Sequence, residues 1–292
     1  MDAQLLDHAV AHLRRQAAGV ATPCKVCDGA TALFDVVDFA KTCDARLYPA
    51  GLTAVPVYYR RCSACGFIFT DFFDDFTPQQ WSAQLYNDDY YRSVDPAYAD
   101  ERPAHNARGV DHLLRHLKQR TIGLDYGGGS GRTCAHLREM GYRYDTVDPF
   151  GARSLTPEFA GRYNFCTAFE VAEHTPDPRG LVQAIVELAS PQRLAILIGT
   201  QLHDGIASDA ARLSWWYAAP RNGHISLYSR RSMQLLAERF GLHYTPFSAR
   251  THLLTRHWSA REAWWLLARG KLIGRLDRLV HRPVRSAAAA PA

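Results

Sequence analysis

The first segment of the chain shows apolar residues at helical spacing. Between residues 2 and 18, leucine and valine recur at helical intervals with polar and charged residues between them. This pattern predicts an amphipathic helix that buries one apolar stripe against the rest of the protein. The residues of the predicted stripe are Leu5, Leu6, Val10 and Leu13.

Segments of mixed pattern separate this helix from the rest of the chain. Residues 22–70 contain both cysteine pairs and a strand-like run at 55–61. Residues 71–106 are rich in aromatic and acidic side chains and are interrupted by prolines. This composition predicts that residues 71–106 form a connector with short helices that lies over the next domain. Apolar residues at helical spacing then predict a helix over 106–119.

From position 121 onwards, short apolar runs alternate with helical patterns. Strands that alternate with helices predict a parallel sheet that is covered by helices on both faces. The predicted strands are Thr121–Tyr126, Tyr144–Asp148, Tyr163–Phe169 and Leu194–Thr200, with later strands near His243–Phe247 and His252–Thr255. The predicted helices are Thr133–Met140, Arg179–Leu188 and Ser232–Phe240.

A glycine-rich turn follows the first of these strands. Residues 125–131 read DYGGGSG, and a helix is predicted directly after them. Glycines permit a tight turn and let a ligand approach the backbone closely. The carboxyl ends of parallel strands form the ligand-binding edge of an open sheet, which predicts a ligand site here. The dinucleotide fingerprint GxGxxG does not fit, since its third glycine would be Arg132, and no GK[ST] of a P-loop follows.

This turn resembles motif I of the class I S-adenosylmethionine-dependent methyltransferases, in which GxGxG follows an acidic strand end. S-adenosylmethionine has no phosphates; it presents an ammonium, a sulfonium and a ribose diol. A carboxylate at Asp125 suits its amino-acid end. Asp148 ends the next predicted strand, about twenty residues further on, where a carboxylate can accept hydrogen bonds from both ribose hydroxyls.

Two later segments resemble motifs of the same superfamily. Residues 163–178, YNFCTAFEVAEHTPDP, resemble the post-strand motif EVxEHxxDP. Residues 215–229, WWYAAPRNGHISLYS, resemble the WxY…GHxSx(Y/F)S element of methyltransferases from glycan and natural-product clusters. Sugar C-methyltransferases carry Tyr-x-Glu-His at this place. Here the residues are Arg221-Asn222-Gly223-His224, which argues against C-methylation of a ketosugar.

The resemblance implies a fold and a set of site residues. The fold is α/β: a Rossmann-like, seven-stranded class I methyltransferase sheet with helices on both faces, plus a small N-terminal zinc-binding module. The residues implied to bind the cofactor are Asp125, Gly127, Gly129, Gly131, Asp148 and Glu170. His174 and His224 are implied to face the acceptor, where an imidazole can take its proton at neutral pH. For each histidine, the alternative is a residue that braces its loop.

Two further regions bear on the cofactor site. Tyr90, with Tyr86 and Tyr91, is predicted to close over the cofactor because a sulfonium favours electron-rich ring faces. The alternative for these tyrosines is packing between the cysteine segment and the sheet. Residues 150–162 leave little room for the helix and third strand of the family, and only Glu158 stands near the place of its usual adenine-binding acid. Trp215, Trp216 and Tyr217 are predicted to be either acceptor-pocket wall or core.

The cysteines predict a metal site. Cys24 and Cys27 form one CxxC pair, Cys62 and Cys65 form another, and 34 residues separate the pairs. Two such pairs supply four thiolates in a tetrahedron, which predicts structural Zn²⁺. The alternatives are four free or redox-active thiols, or a set in which Cys43 replaces one ligand.

Composition and charge narrow the class of protein. The chain has 292 residues, is 47% hydrophobic and has a net charge of +5, which favours a globular protein and argues against a dedicated nucleic-acid binder. No apolar run is long enough to predict a membrane span. Acidic residues precede arginines at the N-terminus, unlike in a signal peptide, so a cytoplasmic location is predicted. The basic helical pattern at 258–281 predicts either a solvated bundle helix or peripheral contact with the inner face of an anionic membrane.

The predicted domain organisation has five parts. They are an N-terminal helix (1–20), a zinc-binding module (21–70), an aromatic connector with helices (71–120), the methyltransferase domain (121–257) and a basic helical extension with a disordered tail (258–292).

Three hypotheses of function follow. The preferred one is methyl transfer from S-adenosylmethionine to an oxygen of a sugar, glycan or secondary-metabolite acceptor. The second is an RNA or protein methyltransferase, or a sugar C-methyltransferase. The third is a zinc-stabilised binding module with an inactive nucleoside fold.

Overall fold

The computed structural model describes residues 3–19, 22–44, 51–98, 101–149, 159–205 and 211–280, with side chains up to residue 277. Glu158 lies outside the described residues.

Strands in the described ranges are β1 Thr31–Asp38, β2 Pro56–Cys62, β3 Ile68–Phe69, β4 Ile122–Tyr126, β5 Arg143–Val147, β6 Phe165–Phe169, β7 Leu194–Gly199, β8 Ser226–Leu227, β9 His243–Pro246 and β10 Thr251–Arg256. The α-helices are α1 Ala3–Ala17, α2 Pro78–Gln84, α3 Glu101–Leu114, α4 Arg132–Glu139, α5 Pro178–Leu188, α6 Arg230–Arg239 and α7 Ala260–Val280.

The main sheet has six strands in the order β5-β4-β6-β7-β10-β9. β5, β4, β6 and β7 pair in parallel, whereas β10 is antiparallel to both of its neighbours. The prediction of seven strands is therefore wrong for the part of the chain that the structure describes. β5 is the edge strand among the described strands of this sheet.

Helices cover both faces of this sheet, as predicted. Alternate residues of β7 point to opposite faces: Ile196 and Ile198 belong to one core cluster, and Ala195 and Leu197 belong to another. The first cluster is completed by α5 and α6, and the second by α3, α4 and α7. Burial on both faces explains why the central strands are apolar runs without alternation.

A second, antiparallel sheet has the order β1-β2-β3-β8. Its first three strands come from the cysteine segment, but β8 comes from the loop that follows β7, more than 150 residues later. Ile68 of β3 pairs with Leu227, and Phe69 pairs with Ser226. The late segment that carries His224 is thus joined to the cysteine segment by a backbone ladder.

Helix α1 buries a different face from the predicted one. Leu5, Ala9 and His12 are buried, whereas Leu6 and Val10 are each 43% exposed. His12 packs edge-on against Phe72 with ring centroids 5.2 Å apart. The aromatic surface of the connector therefore decides which side of α1 is buried. The pattern of apolar residues within α1 carries no information about that surface.

Helix α3 begins earlier than predicted. It starts at Glu101, so Pro103 lies in its first turn, where a missing N–H costs no intrahelical hydrogen bond. Residues 115–120 continue as a 3₁₀ helix. α3 packs closely on α7, since a Cβ on Gly270 would lie 2.4 Å from Leu113 Cδ2. Within the described ranges, no helix has the length and apolar character needed to span a bilayer.

Candidate active site

The glycine loop, residues 127–131, follows β4 at the carboxyl edge of the parallel strands. Its residues with positive φ are Gly127 (71°), Gly129 (53°) and Gly131 (78°). A Cβ at Gly127 would lie 2.6 Å from Val171 Cγ2, and one at Gly129 would lie 2.0 Å from Tyr98 Oη. Both the backbone conformation and the neighbours therefore require glycine.

Asp148 lies beside the glycine loop, directly after β5. Its Oδ2 accepts a hydrogen bond from the backbone N–H of Gly129 at 2.8 Å, and the side chain is half-buried. The structure thus brings together the acid and the turn that the sequence predicts to bind the nucleoside.

Asp125 lies beneath the glycine loop. Its side chain is buried, and Oδ1 accepts a hydrogen bond from Thr167 Oγ1 at 2.6 Å. A Cβ on Gly128 would lie 2.5 Å from Asp125 Oδ2, so the loop backbone packs directly on this carboxyl group. Burial raises the pKa of Asp125 to about 7. Its predicted contact with the cofactor stays a prediction.

A row of aromatic rings leads from the connector to the glycine loop. Successive ring centroids in this row are between 5.1 and 5.9 Å apart. The members in order are Trp81, Tyr86, Tyr90, Tyr91 and Tyr98. Burial raises the pKa of Tyr98, and the negative charge of Asp148 adds to this rise. The last ring of the row therefore borders the predicted nucleoside site.

Tyr90, the tyrosine predicted to bind the cofactor, lies in the middle of this row. It is buried, its hydroxyl is 3.5 Å from the Asn222 carbonyl oxygen, and the Arg221 guanidinium lies 5.9 Å from its ring centroid. Tyr98, which the sequence analysis did not select, is the tyrosine that contacts the glycine loop. The feature of the sequence that could have identified Tyr98 is an aromatic residue between Pro96 and the start of α3.

Glu170 follows β6 at the same edge of the sheet. Its backbone is left-handed with φ of 54°, and its N–H donates to the Gly199 carbonyl at 2.9 Å. Burial raises the pKa of Glu170, and the charge of Arg102 counteracts that rise. Arg102 itself pairs with both carboxylate oxygens of Asp95, at 2.8 and 2.6 Å. The sequence analysis did not select Arg102. The feature that could have identified it is its position in the first turn of a helix that directly follows the aromatic connector.

His174 and His224 come together from distant segments, with ring centroids 4.9 Å apart at 72°. His174 Nδ1 lies 3.1 Å from the Tyr86 hydroxyl, and His224 Nδ1 lies 2.8 Å from the Tyr217 carbonyl oxygen. Burial lowers the pKa of His174 to about 3 and places the pKa of His224 well below its ordinary value. Both rings are neutral at pH 7. Gly223 makes room for this pair, because a Cβ there would lie 2.8 Å from His174 Nδ1.

Glu173 is a buried carboxyl group beside the two histidines, and sequence reasoning missed it. It is 0% exposed, its Oε1 accepts a hydrogen bond from the Tyr217 hydroxyl, and Oε2 has no hydrogen-bond partner. Burial, followed by the charge of Glu170, raises its pKa to about 8. The signal was present in the sequence, where EVAEH contains two glutamates and only the first was selected.

The aromatic segment before His224 is mainly core. Trp215 and Tyr217 are buried in the cluster that also contains the phenylalanines of the connector, whereas Trp216 is 44% exposed. Cys43 lies here too, with Sγ 3.5 Å from His224 Nδ1. The alternative in which Cys43 replaces a ligand of the cysteine cluster is therefore wrong.

The four paired cysteines form one cluster. The Sγ atoms of Cys24 and Cys65 are 3.6 Å apart, those of Cys27 and Cys62 are 3.6 Å apart, and all four lie within 4.8 Å of one another. These distances are far longer than a disulfide bond. They are close to the separation of about 3.8 Å expected for sulfurs around a tetrahedral Zn²⁺ with Zn–S bonds of about 2.3 Å. The residues therefore fit the predicted structural zinc site.

Comparisons with known proteins bear on the same region. Residues 98–246, about half of the chain, match the family model described as "Methyltransferase domain". No curated protein matches the chain.

Several solved structures are similar in part. The plantazolicin methyltransferase BpumL, in complex with a monoazolic desmethylPZN analog and SAH, is 13% identical, with a TM-score of 0.45 over 70% of this chain and 89% of that one. The mitomycin 7-O-methyltransferase MmcR is 14% identical, with a TM-score of 0.44 over 63% of this chain and 62% of that one. Magnesium protoporphyrin IX methyltransferase (ChlM) from Synechocystis PCC 6803, with bound SAH, is 12% identical, with a TM-score of 0.39 over 57% of this chain and 95% of that one.

Proposed function

The chain belongs to the methyltransferase family whose model matches residues 98–246, and from this premise we propose that it methylates an oxygen of a sugar, glycan or secondary-metabolite acceptor. It is an S-adenosylmethionine-dependent methyltransferase. The observation that carries the proposal is the position of two adjacent histidines, the half-buried His174 and the buried His224, at the same sheet edge as the glycine loop and Asp148. Membership of the family favours an enzyme over the inactive binding module.

The donor is proposed to lie along the carboxyl edge of β4 and β5. Asp148 would accept hydrogen bonds from the ribose hydroxyls, and the crowded backbone of Gly127 and Gly129 would pack against the nucleoside. Tyr98 and Tyr91 would offer ring faces near the sulfonium, whose positive charge favours such contacts. The donor supplies the methyl group, and the chain positions it for in-line attack.

The acceptor is proposed to lie between the donor and the histidine pair. A carbonyl oxygen can only accept a hydrogen bond, so the Tyr217 carbonyl holds the His224 proton on Nδ1 and leaves a lone pair on Nε2. That nitrogen, or the corresponding one of His174, would take the acceptor proton as the acceptor oxygen attacks the methyl carbon. The C–S bond breaks in the same step, and sulfur keeps its electron pair.

One observation weighs against sugar C-methylation. The places of the Tyr and Glu in the Tyr-x-Glu-His element are occupied by Arg221 and Gly223. The guanidinium of Arg221 donates to the Leu85 carbonyl at 2.9 Å, and Gly223 makes room for His174. Both positions therefore support the loop. An RNA or protein acceptor remains the second candidate, and the acceptor panel below separates it from the first.

The cofactor part of the proposal is tested by calorimetry with S-adenosylmethionine and its demethylated product. We expect the wild-type protein to bind both and Asp148→Ala to lose at least about 100-fold in affinity, since two charge-assisted hydrogen bonds are lost. Asp145→Ala, at the middle of β5, is the matched control and should bind as the wild type does. If the wild-type protein binds neither ligand, the proposal is wrong. If Asp148→Ala binds both ligands as tightly as the wild type does, only the role of Asp148 at the ribose is wrong.

The acceptor part is tested by transfer of a labelled methyl group to a panel of glycans, small hydroxylated metabolites, RNA and peptides. We expect label in a hydroxyl-bearing small acceptor or glycan. With that acceptor, His224→Gln should lower turnover by about 100-fold or more while donor affinity stays unchanged. Label found only in RNA or peptide would overturn the preferred acceptor class.

A further inference from the structure

Three potential metal ligands meet beside the proposed acceptor position. Glu173 and His174 lie in the 3₁₀ turn after β6, and His224 lies just ahead of β8. One ligand atom from each of these residues lies within 4.8 Å of those of the other two. This cluster is separate from the four cysteines and comes from two segments that only the tertiary fold brings together.

Glu173 gives the first reason to expect a cation. It is the carboxyl group of the cluster, it is fully buried, and its Oε2 has no hydrogen-bond partner. A buried carboxyl oxygen that makes no hydrogen bond is costly, so a partner is expected for it. Arg102, whose charge acts on the nearby Glu170, already pairs with both oxygens of Asp95.

The orientation of the histidines gives the second reason. The Tyr217 carbonyl fixes the proton of His224 on Nδ1, and His174 Nδ1 is engaged by the Tyr86 hydroxyl. The Nε2 lone pair of His224 is therefore available to a cation. Histidines that bind metals commonly donate their other ring N–H to a backbone carbonyl or a similar acceptor in this way.

We propose that Glu173, His174 and His224 bind a divalent first-row transition metal ion of the Mn²⁺ or Fe²⁺ type. Two imidazoles and one carboxylate leave coordination positions open, unlike the closed set of four thiolates. The acceptor hydroxyl occupies one open position, so the inference rests on the proposed function. The cation draws electron density from the hydroxyl oxygen, whose proton then leaves to water. The oxygen forms the new C–O bond as the C–S bond breaks.

This role replaces the general base rather than adding to it. A histidine whose lone pair binds the cation takes no proton, so loss of activity in His224→Gln is expected under both mechanisms. Direct binding of metal is the measurement that distinguishes them.

The test is titration with Mn²⁺ of the 292-residue chain carrying one zinc per chain, as checked by metal analysis, and binding is followed by the loss of the free-ion electron paramagnetic resonance signal. Mn²⁺ prefers oxygen and nitrogen ligands, so it should leave the thiolate cluster untouched. We expect one bound Mn²⁺ per chain. Glu173→Gln and His224→Gln should weaken binding by more than about 100-fold, since second-shell losses alone cost about 10–100-fold.

Two controls keep the outcome interpretable. Glu173→Gln is nearly isosteric, and its amide oxygen still accepts the Tyr217 hydrogen bond, so the fold should be kept. His203→Gln removes another buried histidine, one that contacts the Gly66 carbonyl, and should bind Mn²⁺ as the wild type does. A wild-type protein that leaves free Mn²⁺ unchanged, or a Glu173→Gln protein that binds it normally, overturns the metal site. Donor binding, measured by calorimetry on the same samples, reports on the proposed function independently.

Discussion

Glu170 holds a strained backbone at the edge of the sheet where the proposed donor and acceptor meet. Its φ of 54° is left-handed, a conformation that costs a residue with a Cβ about 1–2 kcal/mol. The same conformation is found at His257, which is exposed and lies beyond β10, away from the site. Such strain persists where the surrounding structure fixes it, and at functional sites it directs a side chain.

Replacement of each residue by glycine separates strain from function. Glu170→Gly should raise the free energy of unfolding by up to about 1 kcal/mol, because glycine adopts positive φ freely, yet it should lower donor affinity or turnover. His257→Gly should bring a similar gain in stability with unchanged activity. Denaturant unfolding and calorimetry check both. A Glu170→Gly protein of full activity would remove Glu170 from the site.

Asp125 makes stability depend on pH. Its pKa is raised by burial to about 7, above the ordinary value of 3.8, so the folded protein favours the neutral acid. The unfolded state releases this proton at lower pH, and stability is therefore lost as pH rises from about 4 to about 7.

Asp125→Asn should abolish that loss, because an amide stays neutral and its oxygen still accepts from Thr167. In the absence of donor, the variant should exceed the wild type in stability at pH 8 by a margin on the order of 4 kcal/mol. At pH 4 the two should be nearly equal. Denaturant unfolding at both pH values measures the difference in stability between the variant and the wild type. A variant that is stabilised equally at pH 4 and pH 8 would contradict a raised pKa of Asp125.

At the scale of elements, the cysteine cluster is bound to the helices of the main sheet. Arg179 of α5 donates to the Val26 carbonyl at 3.1 Å and pairs with Asp28 at 2.6 Å. The Ser229 side chain, which caps α6, donates to the Cys65 carbonyl at 2.5 Å. Loss of the metal should therefore affect the whole fold rather than a separate module.

Cys62→Ser should release zinc and lower the unfolding midpoint by roughly 10 °C, because several kcal/mol of metal-binding free energy is lost. Cys166→Ala, at a buried cysteine of the main core, is the control: it leaves a small cavity but should keep one zinc per chain. Metal analysis and thermal unfolding provide the readouts. A Cys62→Ser protein that retains zinc and an unchanged midpoint would contradict a structural metal site.

At the scale of the whole molecule, α7 carries an apolar surface with basic neighbours. Trp264 and Trp265 are 62% and 61% exposed, and Leu272 and Leu276 are more than half exposed. The helix is also rich in exposed Arg and Lys side chains. This combination suits contact with an anionic membrane surface, which stays a prediction.

Sedimentation with vesicles tests this surface. The protein should bind vesicles of phosphatidylglycerol and phosphatidylcholine, less so at high salt, and the double variant Trp264→Ser/Trp265→Ser should reduce binding by about 10-fold. Trp216→Ser removes another exposed tryptophan and should bind normally. If the double variant binds as the wild type does, α7 is not the contact surface.

The sequence predicted local features well because their causes are local. Helices on both sheet faces, the strand before the glycine loop, and α5 with α6 follow from periodicity over a few residues, and the structure confirms them. The pairing of the four cysteines follows from spacing and thiolate chemistry. The division into five domains stays a prediction, although β8 joins the cysteine segment to the late part of the chain.

The sequence by itself determined which turn requires glycine, which acid ends the next strand and which cysteines share a cluster, since each depends on neighbours a few residues away or on one repeated motif. Only the tertiary structure decided that α1 buries Ala9 and His12, that the described sheet has six strands, and that Glu173 lies beside two histidines. These features depend on surfaces supplied by distant segments. The pairing of β3 with β8, for instance, positions His224, and no local pattern encodes that contact.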